Sequence, residues 1–401
     1  MKRGEVAFFE PGLPELVEEG VAAGRLTLSS DVTAALDRAD VAFVCVGTPA
    51  RFDGAPDLSF VEEVGRVASR HARGSLLLVE KSTVPAATGD RLERMIRLEQ
   101  ARLPDPAQVE VASNPEFLRE GSAVADTLRP DRIVVGAPSV SAAATLRRVY
   151  APVVEETGCP IIETDRTTAE LIKHASNAYL ATRLSFINAV ARVCEQVGAD
   201  VETVAEGMGH DARIGPSFLR AGIGYGGSCF PKDVDAFAHL ATAVGAPFGL
   251  LDETRRINEA ARARVIELLH HELWHLDGKR IALLGAAFKP DTDDLREAPA
   301  MWIAERLLDA GAEVRICDPV AATVAKEALP GIHATDDPMV ACDDAHAVVL
   351  CTEWPDFVAL EPSELVDRLG WPVVIDGRNA WDPSAFRALG ARYHGMGRGR
   401  A

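Results

Sequence analysis

A single cysteine stands in an unusually glycine-rich stretch, GIGYGGSCFPKD, which covers residues 222–233. Glycine offers no side chain for packing and suits a backbone that something must approach closely. Cys229 is followed by a cation, Lys232, and by a carboxylate, Asp233. A neighbouring cation lowers the pKa of a thiol, and the thiolate is the nucleophilic form. A buried, inert cysteine is the alternative interpretation, but this setting favours a nucleophile.

The composition limits the classes of protein and partner. The 401 residues are enough for two or three domains, and 47% hydrophobic with 25% charged residues is ordinary for a globular protein. The formal net charge of -18 disfavours nucleic acid and anionic membrane surfaces as partners. The seven cysteines include no CxxC pair, which is typical of reduced thiols in a cytoplasmic protein. The opening MKRGEVAFFEPG has no apolar h-region, so we expect no secretory signal, and we also expect no membrane-spanning helix and no metal site.

The first third of the chain alternates apolar runs with helical stretches. The runs are ADVAFVCVGTP, SLLLVEKSTVP, VEVASNPEF and RIVVGAP. Continuous apolar strands with helical crossovers predict a doubly wound parallel sheet. Ligands of such sheets bind beyond the carboxyl ends of the strands. Thr48, Ser82, Thr83 and Glu116 fall at those ends.

The middle and last parts have different patterns. Residues 167–197 contain no Gly or Pro and repeat apolar residues at helical spacing, which predicts one long helix. Lys173 and Asn177 share a face of it and, taken alone, could be a solvated polar stripe. After residue 276 the chain again alternates strands with helical crossovers, and the strand endings in AHAVVLCTEWP and PVVIDGRN resemble those in ADVAFVCVGTP and LLLVEKST. We therefore predict an α/β fold with two Rossmann-like, doubly wound parallel-sheet domains joined by a long helix. The predicted boundaries are 1–158, 159–276 and 277–401.

Eight motifs in order give the chain a resemblance to a known family. They are EPGLPEL, VGTP, EKSTVP, SNPEFLREG, ELIKHASNAYLATRLSFINAV, GIGYGGSCFPKD, GAAFKPDTDDLRE and IDGR. With these motifs the chain resembles the nucleotide-sugar 6-dehydrogenases over nearly its whole length, and the cysteine loop is most similar to the UDP-glucose branch. The resemblance implies oxidation of a sugar's primary alcohol to a carboxylate with two NAD, without release of the aldehyde. It also implies UDP-glucose as the substrate and UDP-glucuronate as the product.

The resemblance implies roles for individual residues. The catalytic set would be Cys229, Lys173, Asn177, Asp233, Glu116 and Thr83. Cys229 would add to the aldehyde and carry a thiohemiacetal and then a thioester. Lys173, joined by Asn177, would stabilise the developing oxyanion or orient water, and Asp233 would help to activate water. Glu116 would do acid-base work during thioester hydrolysis, although a carboxylate favoured by a helix N-terminus is an alternative interpretation.

The resemblance also implies two sets of binding residues. The NAD side would comprise Val46, Gly47, Thr48, Pro49, Ser82, Thr83, Glu120, Lys232 and Arg296. The nucleotide-sugar side would comprise Glu116, Phe117, Leu118, Arg119, Glu120, Lys173, Asn177, Arg213, Arg220, Ile223, Gly224, Tyr225, Gly226, Phe288, Lys289 and Arg378. In the family the residue that matches Arg213 reaches a neighbouring subunit, so we expect a homodimer or a higher homo-oligomer.

The opening of the family pattern is not found. Family members begin with a strand, a GxGxxG turn, a helix and a strand that ends in an acid, which together hold the pyrophosphate and a ribose. This chain opens at KRGEVAFFEPGL, which in the family lies beyond both strands. We therefore expect an N-terminally truncated first domain that lacks its opening βαβ fingerprint and binds NAD poorly. The alternatives are a GDP-mannose or other nucleotide-sugar dehydrogenase, or a nucleotide-sugar-binding protein without redox activity.

Overall fold

The chain divides into two compact units, and each is described by itself. The computed structural model describes residues 6, 8–52 and 54–398. Unit 1 comprises Met1–Ala178 and Lys232–Phe248, and unit 2 comprises Tyr179–Pro231 and Gly249–Ala401. The predicted α/β fold with a parallel-stranded sheet in each of two domains is confirmed. The boundaries at residues 158 and 276 stay a prediction.

Strands and helices alternate through most of the chain. The strands are β1 (Val41–Val44), β2 (Ser75–Glu80), β3 (Gln108–Ser113), β4 (Ile133–Gly136), β5 (Ile161–Thr164), β6 (Arg280–Leu284), β7 (Glu313–Cys317), β8 (His333–Thr335), β9 (Ala347–Leu350), β10 (Val373–Asp376) and β11 (Arg392–Gly395). The helices are α1 (Leu13–Ala22), α2 (Val32–Leu36), α3 (Ser59–His71), α4 (Thr88–Gln100), α5 (Ala123–Leu128), α6 (Val140–Thr157), α7 (Arg166–Val197), α8 (Val201–Gly209), α9 (Phe230–Ala243), α10 (Gly249–Leu273), α11 (Pro299–Asp309), α12 (Ala322–Ala328), α13 (Pro338–Cys342), α14 (Pro355–Val358), α15 (Pro362–Arg368) and α16 (Pro383–Ala388).

The sheet of unit 1 has the order β1-β2-β3-β4-β5, and in the described part of the chain β1 lies at its edge. Because side chains alternate along a strand, Leu76 and Leu78 enter one apolar core while Leu77 and Val79 enter another on the opposite face. Helices therefore cover both faces, as predicted. One pair departs from the parallel pattern: β3 and β4 pair antiparallel through Ser113. Strand β4 therefore runs in the opposite direction to β3.

The sheet of unit 2 is parallel throughout, with the order β11-β10-β9-β6-β7-β8. Its central strand β6 sends Ile281 and Leu283 into one core and Ala282 and Leu284 into the other. Parallel strands buried on both faces are expected to be apolar without interruption, and β9, whose four residues are all buried, follows this rule. The carboxyl ends of β6, β7, β9 and β10 consequently meet at one edge.

Helix α7 runs for 32 residues, and the prediction of one long helix is confirmed. Asp165 precedes it and accepts a hydrogen bond from the Thr168 amide at 2.8 Å, which is the geometry of an N-cap. It ends before Gly198, whose φ of 78° suits a left-handed C-terminal cap. The division between the units falls inside it, after Ala178. Among the described residues, none of the helices combines the length and apolarity needed to cross a bilayer.

Candidate active site

The loops that follow β1 and β2 lie together at the edge of the unit 1 sheet. The two strands are parallel neighbours, so their carboxyl ends meet. Ser82 Oγ accepts a hydrogen bond from the Val46 amide at 2.8 Å, and Thr48 Oγ1 donates to the Thr83 carbonyl at 2.9 Å. Of the predicted NAD-side residues, those in the VGTP loop and those in the KST loop are thus brought together. They form a hydrogen-bonded rim at the carboxyl ends of β1 and β2.

The helix N-termini of unit 1 are less suited to the pyrophosphate of NAD. A pyrophosphate is usually held by free amides at such a terminus. The first turn of α4 already gives its Gly89 amide to Glu170 Oε1 at 2.9 Å. Amides at the starts of α3 and α6 go to Asp57 and Ser139 in the same way. At each of these three helix starts at least one amide is therefore already engaged by a side chain, so fewer amides are free for a pyrophosphate than at an uncapped terminus.

Glu10 has a local structural partner. Its two carboxylate oxygens accept hydrogen bonds from the amides of Gly121 and Ala123, each at 2.7 Å. The side chain is buried against the start of α5. Because both oxygens are engaged there, Glu10 does not take the place of the acid that holds a ribose in the family pattern.

Lys173 and Glu116 form a buried ion pair in unit 1. Lys173 Nζ lies 2.9 Å from Glu116 Oε1, and their side chains are 4% and 20% exposed. The other carboxylate oxygen accepts from the Leu118 amide at 2.9 Å. The ring of Phe117 lies 5.4 Å from Lys173 Nζ, within the range of a cation-π contact. The helix face that carries Lys173 is therefore not a solvated stripe.

Asn177 and Lys232 hold the carboxylate of Asp233. Asn177 Nδ2 donates to Asp233 Oδ2 and Lys232 Nζ to Oδ1, both at 2.6 Å. Asp233 is only 1% exposed. A buried carboxylate is stable as an anion when hydrogen bonds and a cation compensate its lost hydration. Since Lys232 is engaged in this way, its charge is partly neutralised and is not available in full to stabilise a thiolate.

Cys229 lies in unit 2 and immediately precedes α9. It is half-buried, and its sulfur is 3.5 Å from Ser228 Oγ. Amide groups at a helix N-terminus favour a thiolate. The glycine loop before it is held by two asparagines: Asn188 Oδ1 accepts from the Gly222 amide at 2.9 Å, and Asn258 Oδ1 accepts from the Tyr225 amide at 2.8 Å.

Close backbone contacts explain the glycines. Gly224 has a φ of 91°, and a Cβ there would lie 2.6 Å from Asn258 Oδ1. A Cβ on Gly226 would lie 2.2 Å from the Glu297 carbonyl oxygen. A Cβ on Gly227 would meet the ring of Phe288 at 2.8 Å. No larger residue fits these three positions without moving the loop.

The other predicted sugar-nucleotide residues of unit 2 fall into two groups. Phe288 and Arg378 contact the glycine loop, because the Arg378 guanidinium donates to the carbonyls of Gly224 and Phe288 at 3.4 and 3.2 Å. Lys289 Nζ lies 5.4 Å from the centre of the Phe288 ring. The Gly227 amide donates to the Arg296 carbonyl at 2.9 Å. Arg213 and Arg220, by contrast, are exposed.

Several predicted anion-binding arginines are already paired with acids close by in the chain. Arg119 contacts Asp126 at 2.7 Å, Arg213 contacts Asp211 at 2.6 Å and Arg296 contacts Asp294 at 2.7 Å. Glu120 is half-buried and Leu118 is exposed. Each of these guanidinium groups therefore already uses part of its hydrogen-bonding capacity on a carboxylate.

One polar cluster beside Glu116 was not predicted from the sequence. Lys81 Nζ donates to Asn114 Oδ1 and to Tyr150 Oη, both at 3.1 Å, and Asn114 Nδ2 donates to the Val134 carbonyl at 2.7 Å. Burial lowers the pKa of Lys81, and the charge of Glu116 opposes that shift. Lys81 and Asn114 stand in the motifs EKSTVP and SNPEF, so their place in these motifs was the available signal. No group of three or more possible metal ligands occurs in the described part of the chain.

Comparisons with known proteins agree with these motifs. Three models of the UDP-glucose/GDP-mannose dehydrogenase family match: its NAD binding domain over residues 1–154, its central domain over 167–260 and its UDP binding domain over 282–383. The chain is 43% identical to a UDP-glucose 6-dehydrogenase of Pseudomonas aeruginosa, covering 100% of this chain and 90% of the relative. It is 42% identical to UDP-glucose 6-dehydrogenase YwqF of Bacillus subtilis, covering 99% and 89%.

A solved structure agrees as well. A UDP-glucose dehydrogenase from Pyrobaculum islandicum superposes with a TM-score of 0.90 at 36% identity, covering 99% of this chain and 88% of that chain. The resemblance stated from the sequence is thus confirmed. On its motifs, its two parallel-stranded units and these matches, the chain belongs to the UDP-glucose/GDP-mannose dehydrogenase family.

Proposed function

We propose that this protein oxidises the primary alcohol of UDP-glucose to the carboxylate of UDP-glucuronate, with two NAD for each sugar. The observation that carries the proposal is a cysteine at the start of α9, followed four residues later by a buried carboxylate that Asn177 and Lys232 hold at 2.6 Å. Identity of 42–43% to UDP-glucose 6-dehydrogenases over essentially the whole chain supports this substrate.

In the first oxidation the alcohol carbon loses a hydride and its hydroxyl loses a proton, which passes to solvent water, so the step needs a group that stabilises the resulting oxygen. When bound, NAD accepts the hydride of each oxidation. We assign Lys173 to the developing oxyanion, because its ammonium is buried and a buried cation acts strongly on nearby charge. Its partner Glu116 keeps that ammonium oriented at 2.9 Å. Thr83, whose carbonyl accepts from Thr48, belongs to the rim near the cofactor.

The second oxidation needs a tetrahedral carbon, and Cys229 supplies it. Its thiolate adds to the aldehyde carbon, the carbonyl oxygen takes up a proton, and a thiohemiacetal results. Loss of a hydride from that carbon and of the hydroxyl proton converts the thiohemiacetal into a thioester. The covalent bond to sulfur explains why the aldehyde is not released.

Hydrolysis of the thioester completes the reaction. A water molecule adds to the thioester carbon, the carbon-sulfur bond breaks, and the product carboxylate leaves a free thiol at Cys229. We assign Asp233 to the activation of this water, with Asn177 orienting its carboxylate, and Glu116 to the proton transfers. Phe288, Lys289 and Arg378 are proposed to hold the nucleotide sugar in unit 2.

Turnover measurements test the proposal directly. Purified protein is incubated with NAD and either UDP-glucose or GDP-mannose, and NADH and uronate are quantified. We expect two NADH for each UDP-glucuronate, and no turnover by Cys229→Ser with UDP binding retained, since a serine hydroxyl is a far weaker nucleophile at neutral pH. Preference for GDP-mannose would refute the substrate, and wild-type rates in Cys229→Ser would refute the nucleophile. Ser228→Ala, which leaves the thiol in place, is the control.

We further propose that the protein is a homo-oligomer, at least a dimer. Tyr179, Phe186 and Val193 are spaced seven residues apart on α7, so they share one face. They are 63%, 51% and 60% exposed, and such a row is unusual on a surface that meets only water. The proposed occupant is the same face of a second copy. Sedimentation equilibrium should show a dimer that Phe186→Glu dissociates, whereas a monomeric wild type would refute the proposal.

A cytoplasmic location is proposed on the basis of the cysteines. All seven are free thiols in the structure, and secreted proteins usually pair theirs. Fractionation of cells with an antibody to this chain would test it, and recovery outside the cytoplasm would refute it.

A further inference from the structure

Unit 2 carries a buried acid at a position that dinucleotide-binding sheets use for a ligand. Strands β6 and β7 are parallel neighbours, and Asp318 follows β7 directly. In such sheets an acid at the end of the second strand binds a ribose hydroxyl. Asp318 is 0% exposed, so its carboxylate must be satisfied within the protein.

Five donors satisfy this carboxylate. Oδ2 accepts from the amides of Ala286 and Ala287, at 2.8 and 3.1 Å, and from the indole nitrogen of Trp354 at 3.3 Å. Oδ1 accepts from the amides of Val320 and Ala321, at 3.0 and 2.8 Å. Both oxygens are fully engaged, so Asp318 has no capacity left for a ribose. Its partners Ala286 and Ala287 instead belong to the turn that follows β6.

The same turn is held from a second side. Gly285, with a φ of 102°, passes so close to Thr352 that a Cβ would lie 2.3 Å from the threonine Cβ. Thr352 Oγ1 donates to the Ala287 carbonyl at 2.5 Å. Asp318 therefore holds the amide of Ala287 and Thr352 holds its carbonyl, which fixes the direction of the chain as it enters Phe288.

The turn at residues 285–289 supports the glycine loop. The ring of Phe288 is the nearest neighbour of Gly227, where a Cβ would be 2.8 Å away. The Phe288 carbonyl accepts from Arg378 at 3.2 Å. Gly227 is two residues before Cys229. A displacement of the turn would thus move Phe288, Lys289 and the support of the loop that carries the cysteine.

We propose that Asp318 is a positioning residue whose carboxylate fixes the turn at residues 285–289 and so sets the placement of Phe288 and Lys289 for the nucleotide sugar. The ligand part of this inference rests on the proposed function. The acid of this sheet thereby holds the protein's own backbone where a dinucleotide-binding sheet would hold a ribose.

The test combines amide hydrogen exchange with calorimetric titration of UDP on the full chain. Asp318→Asn replaces an acceptor oxygen by an amide donor that faces backbone amides. Amide exchange in a peptide covering residues 285–289 should therefore accelerate at least tenfold. The Kd for UDP should rise about tenfold. Thr352→Val replaces only the hydroxyl by a methyl group and should shift both quantities in the same direction by less. Asp382→Asn, a matched change at the exposed N-cap of α16, should alter neither.

Each outcome decides one part of the inference. Wild-type exchange at residues 285–289 in both Asp318→Asn and Thr352→Val overturns it. Accelerated exchange with unchanged UDP affinity overturns the positioning role for the ligand. If Asp318→Asn does not fold, the exchange and the affinity of Thr352→Val decide. A wild type that binds no UDP refutes the proposed function, while the exchange result still decides whether Asp318 fixes the turn.

Discussion

Two carboxyl groups are buried side by side in unit 1 next to the proposed catalytic residues. Glu80 ends β2, Glu170 lies on α7, and they are 1% and 2% exposed. Ser113 Oγ is 2.9 Å from Glu170 Oε1 and 3.4 Å from Glu80 Oε2. Burial first, and then the charge of Glu170, raise the pKa of Glu80 to about 8, against a partial opposing effect of Ser113 and Arg166. We expect Glu80→Gln, a neutral side chain of the same shape, to stabilise unit 1 at neutral and alkaline pH.

The sign follows from proton binding. Between the ordinary pKa of 4.5 and about 8, the folded protein keeps a proton on Glu80 that the unfolded chain has released. The free energy of unfolding must then fall as pH rises through this window, by about 1.4 kcal/mol for each pH unit. Below pH 4.5 and above pH 8 this contribution is constant. The amide introduced by Glu80→Gln cannot ionise, so the difference between variant and wild type should grow with that slope.

Urea unfolding between pH 5.5 and 7.5 measures the difference. Unit 1 contains none of the tryptophans, so unfolding is followed by amide exchange in peptides from β2 and α4. Glu99→Gln is the control, because hydrogen bonding to Arg70 lowers the pKa of this half-buried acid, so that its contribution does not change over this pH range. A Glu80→Gln difference that does not change with pH would show that Glu80 ionises normally and would refute the reasoning.

Three further changes test the partners seen in the structure. Lys173→Met removes a buried ammonium from Glu116. We expect kcat to fall by roughly 10²-fold or more while UDP still binds, and an unchanged kcat would contradict the catalytic role of Lys173. Asp233→Asn leaves Lys232 beside a neutral amide, and we expect a comparable loss of kcat, with a smaller KM effect, in the same steady-state assay. Tyr393→Phe removes a 2.7 Å hydrogen bond from the buried Tyr393 hydroxyl to Asp376, which should lower the unfolding free energy of unit 2 by about 1–2 kcal/mol, measured by tryptophan fluorescence in urea. An unaltered midpoint would contradict it.

The elements were predictable because their signals are local. A stretch without Gly or Pro indicated the helix from residue 167 to 197, and apolar runs indicated the strands whose ends carry Thr48 and Thr83. The antiparallel pairing of β3 with β4 was not predictable, because the direction of a strand in a sheet depends on tertiary packing and not on its local sequence. The pairs Arg119 with Asp126 and Arg213 with Asp211 could have been suspected from their short separation in the chain.

The partners of the proposed catalytic residues were not predictable for a different reason. Helical spacing showed that Lys173 and Asn177 share a face, but a face can be solvated or buried, and only tertiary packing decides. Lys173 meets Glu116, which is 57 positions earlier, and Asn177 meets Asp233, which is 56 positions later. The carboxyl pair of Glu80 and Glu170 could not be predicted either, because only tertiary packing brings these two side chains together.

Glu170, Lys173 and Asn177 together show what α7 does in unit 1. Their spacing of three and four residues places them on one helix face, and all three are buried. Burying such groups costs free energy unless each finds a partner. Each partner comes from a different segment: the start of α4 for Glu170, the loop after β3 for Lys173, and α9 for Asn177. A rigid helix has a rise of about 1.5 Å per residue, so this one face fixes the spacing of three segments that the sequence keeps far apart. The buried polar face of α7 that carries Glu170, Lys173 and Asn177 therefore sets the geometry of the proposed site in unit 1.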